Sequence, residues 1–164
     1  MLFFIYLSNF DTLPDKEYMF KKIDKVLAAF GNKKTDESDD AAFFAGDIAT
    51  NIEGAKIATS QHGQFFVGVQ EIQGYKFLEV IIISRTNIKT KRGATLIFSN
   101  TNSPFTIVSD TQEIESDFFK DVNCYMTQIS FNITPKEIAR IKKKDFEEIR
   151  LEYKKKALSF KKVK

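Results

Sequence analysis

The chain has no tryptophan, one cysteine, one histidine, three prolines and seven glycines in 164 residues. Each shortage removes a class of protein. With Cys124 alone, no disulfide can close within the chain, and the cysteine count gives no sign of an oxidising compartment. Zinc sites want three or four ligands drawn largely from Cys and His, and here Cys124 and His62 stand far apart in sequence. Sparse glycine and proline argue against a fibrous or loop-dominated chain. No run approaches the roughly 20 apolar residues that span a bilayer as a helix. The opening Met1–Leu7 is apolar but brief, without the basic start or small-residue cleavage site of a signal peptide. The cytoplasm is the expected location. The wealth of Lys, Ile, Asn and Phe suits an AT-rich bacterial genome.

The same shortages thin out the catalytic options. A Cys–His nucleophile pair would have to be Cys124 with His62, held within hydrogen-bond reach of each other. Cys124 opens a strand pattern, where a lone cysteine behaves as a small buried hydrophobe. His62 lies in Gln61-His62-Gly63, a turn pattern that favours exposure. There is no Gly-x-Ser-x-Gly elbow, no phosphate-cradling P-loop and no Gly-x-Gly-x-x-Gly after a strand. Asp36, Glu37, Asp39 and Asp40 lack the glycine and distal glutamate of a calcium loop. Glu147 and Glu148 are adjacent in a strand pattern and so face opposite sides. No cofactor or metal is expected, and an enzyme would have to rely on carboxylates alone.

What the chain does have is apolar bulk of a particular kind. Hydrophobic residues make up 43% and charged residues 29%, with seventeen Phe among them. Aromatic and β-branched side chains fit a pleated, half-buried surface. From about Ala55 the pattern becomes that of strands. Gln64–Ile72 and Tyr75–Arg85 flank Gln73-Gly74, a hairpin turn, and Val80-Ile81-Ile82-Ile83 is apolar on both faces, as a central strand would be. Thr86–Gly93 reads as a polar, basic loop. Ala94–Phe98 and Phe105–Val108 flank a second turn, and Gln112–Glu115 reads as a short edge strand. Tyr125, Thr127, Ile129, Phe131 and Ile133 give the clearest period of two. That strand runs into Thr134-Pro135-Lys136-Glu137, a capping box with proline at the first helical position. Ile149, Leu151 and Tyr153 alternate in the next strand, and Lys154-Lys155-Lys156 turns the chain into a last one.

Ahead of these strands, Thr12–Phe30 has helical spacing, with Met19, Ile23, Val26, Leu27 and Phe30 on one face and Gly31 as the stop. The chain is therefore expected to divide into residues 1–32, an apolar segment and amphipathic helix; 33–42, a polar linker; and 43–164, an antiparallel β domain. Short turns between strands imply antiparallel pairing. The expected fold is mainly β, α+β by content: an antiparallel β-sandwich or partly open roll of about seven strands, with a short helix near residues 134–144.

Charge supplies the remaining clue. Net charge is +3, yet residues 135–164 hold twelve Lys or Arg against five Asp or Glu. Two basic clusters are candidates for anion or surface contacts: Lys89, Lys91 and Arg92 in the loop, and Lys154, Lys155 and Lys156 in the turn. The apolar stripe Met19, Ile23, Val26, Leu27 and Phe30 is a candidate face for a partner or a membrane surface. The favoured function is a non-enzymatic binding or scaffolding module with a protein partner. Association with a membrane surface or nucleic acid through the lysines is the alternative.

Overall fold

A computed structural model describes residues 2–5, 55–100, 103–120 and 123–164. The expected helix over Thr12–Phe30, its stripe of Met19, Ile23, Val26, Leu27 and Phe30, and the linker 33–42 lie outside the described residues. Within them the protein is mainly β, antiparallel throughout, with one α-helix.

Local signals explain the first hairpin. Strand β1 (Leu2–Ile5) and β2 (Ala55–Ser60) both lie beside β3 (Gly63–Ile72), β1 along Val69–Ile72 and β2 along Gly63–Val67. β3 then turns into β4 (Tyr75–Ser84) through Gln73 and Gly74, at φ 50° and 82°. Two residues at positive φ match the right-handed twist of the flanking strands, and glycine accepts that geometry without strain. β4 lies centrally between β3 and β10 (Cys124–Asn132), as its two-sided apolar run requires. Leu78, Val80 and Ile82 face the core, and Ile81 and Ile83 are buried on the opposite face together with Phe66 and Met126.

The remaining strands are β5 (Lys89–Thr90), β6 (Thr95–Ser99), β7 (Phe105–Val108), β8 (Ile114–Glu115), β9 (Asp117–Phe119), β11 (Glu148–Tyr153) and β12 (Lys156–Lys162). Twelve strands are thus described where about seven are expected from the sequence. The difference lies mainly in strands of two to four residues, too short to show a period. Lys89 and Thr90, read as loop, pair with Glu115 and Ile114.

Ten strands form one sheet in the order β7-β6-β11-β12-β2-β3-β4-β10-β9, with β1 on β3. The path curls until its parts meet. Ser109, just past β7, bridges Phe131 of β10, and the Asp110 amide donates to the Ser130 carbonyl at 2.8 Å. β2, β3, β4, β10, β7, β6, β11 and β12 consequently share a single core, in which Phe65, Leu78, Phe98, Ile107, Phe131, Leu151 and Phe160 are nearly solvent-free. Phe65 packs on Phe160 with centroids 5.4 Å apart, and Phe98 stacks on Phe105 at 4.5 Å.

Helix α1 (Pro135–Lys142) begins where β10 ends. The Thr134 hydroxyl accepts from the Glu137 amide, and the Glu137 carboxylate accepts from the Thr134 amide at 2.8 Å. Ile138 and Ile141 enter the core, while Arg140 lies 4.4 Å over the Phe105 ring and bonds Asp145 at 2.9 Å. The cap has a second effect. The Thr134 carbonyl accepts from Ile138, and Pro135 has no N–H, so the chain beyond β10 has little left to pair with Thr106 of β7. A seam opens there between β7 and the end of β10.

Candidate functional site

Two turns of chain and the end of β7 meet beside that seam around a cavity of about 860 Å³. One wall is the segment from Lys89 to Thr95, another is the β11–β12 hairpin from Glu152 to Lys155, and Val108 of β7 completes it. The two basic clusters noted in the sequence, more than sixty residues apart, therefore share one site. Five of the six candidate lysines and arginines line it: Lys89, Lys91, Arg92, Lys154 and Lys155. Lys156 does not. It starts β12 opposite Tyr153 and is exposed outside the cavity.

The first wall is held by backbone constraints. Thr90 is buried, and its hydroxyl accepts from the Arg92 amide at 3.1 Å. Gly93 sits at φ 71°, donates to the Gln112 carbonyl at 2.8 Å, and has Ser109 Oγ only 2.6 Å from where a Cβ would stand. No other residue fits there without displacing Ser109. That serine in turn accepts from the Ala94 amide at 2.8 Å and donates to the Thr111 carbonyl at 2.7 Å. Lys91 and Arg92 are thereby presented from a tethered loop.

The second wall is a two-residue turn. Tyr153 pairs with Lys156, leaving Lys154 and Lys155 at the tip, with Lys154 in the left-handed region at φ 53°. That conformation costs a non-glycine residue about 1–2 kcal/mol.

Charge in the cavity is unbalanced. Lys89 is committed to Glu115 at 2.6 Å, and that hydrogen bond and charge raise its ammonium above the usual lysine range. Glu152 is paired with Arg150 along the same strand. Lys91, Arg92, Lys154 and Lys155 form no ion pair among the described residues. Tyr153 lines the cavity and is only 4% exposed, and burial raises its phenol above the ordinary value. Its hydroxyl therefore stays protonated and has no hydrogen-bond partner among the described residues. Four uncommitted cations and a neutral hydroxyl donor suit an anion of more than one charge.

No protein-family model, curated protein or solved structure matches this chain.

The other candidates fall elsewhere. His62 is exposed in the turn between β2 and β3, whereas Cys124 is buried at the start of β10 with its Sγ 3.2 Å from Nη1 of Arg85. No bond joins imidazole to thiol. Glu147, exposed just before β11, pairs with Lys162 at 3.2 Å. Among the described residues no group of three His, Cys, Asp or Glu side chains lies close enough to hold a metal, and no helix is long and apolar enough to cross a membrane.

Val108 and Tyr75 carry no chemical signal in the sequence, yet among the described residues they are two of the three large apolar side chains left markedly exposed, at 58% and 72%. Both line a shallower groove of about 490 Å³ along the seam. Their position would have been legible only from knowing that β7 meets β10.

Proposed function

We propose that this protein is a non-enzymatic binding module whose basic cavity takes a multiply charged anionic group, phosphate or carboxylate, carried by a partner. The observation that supports it is the convergence of Lys91, Arg92, Lys154 and Lys155, none ion-paired among the described residues, around a cavity walled by Tyr153. Four like charges held together destabilise a fold unless something neutralises them, and a bound polyanion does so through charge-assisted hydrogen bonds. The side chains there are donors, and the one carboxylate, Glu152, is occupied by Arg150, which favours binding over acid–base chemistry. We read the architecture as a partly open roll, its opening being the seam beside the cavity, and we place the protein in the bacterial cytoplasm.

Titration calorimetry with inorganic pyrophosphate at low ionic strength tests this reading. Binding should weaken with added salt. Lys91→Ala combined with Lys155→Ala should weaken it by roughly tenfold or more, equivalent to about 1.4 kcal/mol or more. If the parent protein takes up no pyrophosphate, or the double variant binds as well as the parent, the reading fails.

A further inference from the structure

The cavity does not end at its basic walls. Val108 belongs both to it and to the seam groove, where Tyr75, Ile107, Ile133 and Pro135 add an aliphatic and aromatic lining. Basic site and apolar groove are thus one continuous surface, crossed at an exposed valine.

The edge of that groove is also polar in a particular way. Among the described residues β7 is the end strand of the sheet, paired along its length only with β6 until the bridge from Ser109 to Phe131 just past it. Ser109 donates its amide to Ala94 of the β6 side, so by alternation Ile107 and Phe105 also point their amides and carbonyls at β6. Those of Thr106 face the seam. Thr134 and Pro135 cannot answer them, because the helix cap uses the Thr134 backbone and proline lacks an N–H. Thr106 and Val108 are exposed.

Resting on the anion-binding reading above, we infer that the partner is an acidic peptide in extended conformation. Its carboxylates occupy the Lys91, Arg92, Lys154 and Lys155 cavity, and a neighbouring apolar side chain lies over Val108 against Tyr75. Charge complementarity specifies the acidic part. The aliphatic groove and the backbone of Thr106, without a partner among the described residues, specify a polypeptide, since an exposed strand edge offers a peptide backbone its natural partner. Single-stranded nucleic acid would match the charge, but it wants several aromatic faces for stacking, and Tyr75 is the one exposed aromatic lining the groove.

The test is fluorescence anisotropy with the full chain and labelled probes. These are a peptide of four glutamates followed by an alternating Val-Thr-Ile segment, the glutamates alone, the peptide with N-methylated apolar residues, and an oligothymidylate of equal charge, with pyrophosphate as competitor. The composite peptide should bind roughly tenfold tighter than the glutamates alone. Tyr75→Ala, at an exposed position outside the basic cavity, should remove most of that gain while leaving pyrophosphate affinity unchanged, and N-methylation should remove it too. Equal binding of composite and plain glutamates, or of methylated and unmethylated peptide, overturns the inference while pyrophosphate binding keeps the anion site. Tighter binding of the oligothymidylate overturns it in favour of nucleic acid. Failure of every anion removes both.

Discussion

Lys154 and Gly93 show two ways of meeting a backbone demand. At Gly93 the chain has φ 71° and no room for a Cβ, and the residue is the one type that satisfies both conditions. At Lys154 the chain has φ 53° with a charged side chain that stands in the cavity wall, so the conformational cost is retained. Strained non-glycine residues gather at functional positions. Lys154→Gly should raise stability by up to about 1 kcal/mol, seen as a higher urea midpoint, while weakening pyrophosphate binding. A variant that is both less stable and equally competent would show that the lysine was held there for packing alone. The sequence displays Lys154-Lys155-Lys156 and Lys89–Arg92 as charge clusters, but the φ of Lys154 and the pairing of Lys89 with Glu115 depend on strands brought together from elsewhere.

Among the elements, those specified by neighbouring residues were readable and those specified by distant ones were not. α1 starts where Thr134, Pro135 and Glu137 say it should. The β3–β4 turn sits at Gln73-Gly74, and the alternation from Tyr125 to Ile133 is realised as β10 over Cys124–Asn132. β8 falls within the edge strand expected over Gln112–Glu115, whereas β5, read as loop, has no such signature, since two residues make no period. They exist because Lys89 and Thr90 meet Glu115 and Ile114, and because Ser116 accepts from and donates to the backbone of Ile88. β2 carries an irregularity between Lys56 and Ala58 that spoils its alternation. The cap of α1 is the element whose strength can be measured directly. Thr134→Ala should cost about 1 kcal/mol in chemical denaturation, with the Glu137 side chain losing its reciprocal role. A loss below a few tenths would mean that Ile138 and Ile141 hold the helix unaided.

For the whole molecule, the mainly antiparallel class was legible because aromatic and β-branched residues recur between short turns, whereas the order of strands was not, since pairing is a property of the closed sheet. The single core makes a sharp prediction. Phe98 touches Phe105 and Phe146 and is solvent-free. Phe98→Ala should lose about 3–5 kcal/mol, a large fraction of the roughly 5–15 kcal/mol typical of a domain, measured by thermal and urea unfolding. A loss under about 1 kcal/mol would mean the strands do not share one interior.

β12 has a place in the sheet that reaches beyond stability. It lies between β11 and β2, joining Lys161 to Thr59 and Lys162 to Ala58 across about a hundred residues of chain. Until that strand leaves the ribosome, β2 and β11 each wait with a bare flank. Synthesis of this polypeptide therefore passes through an interval in which two sticky borders are open at once, the stage at which nascent chains aggregate or recruit chaperones.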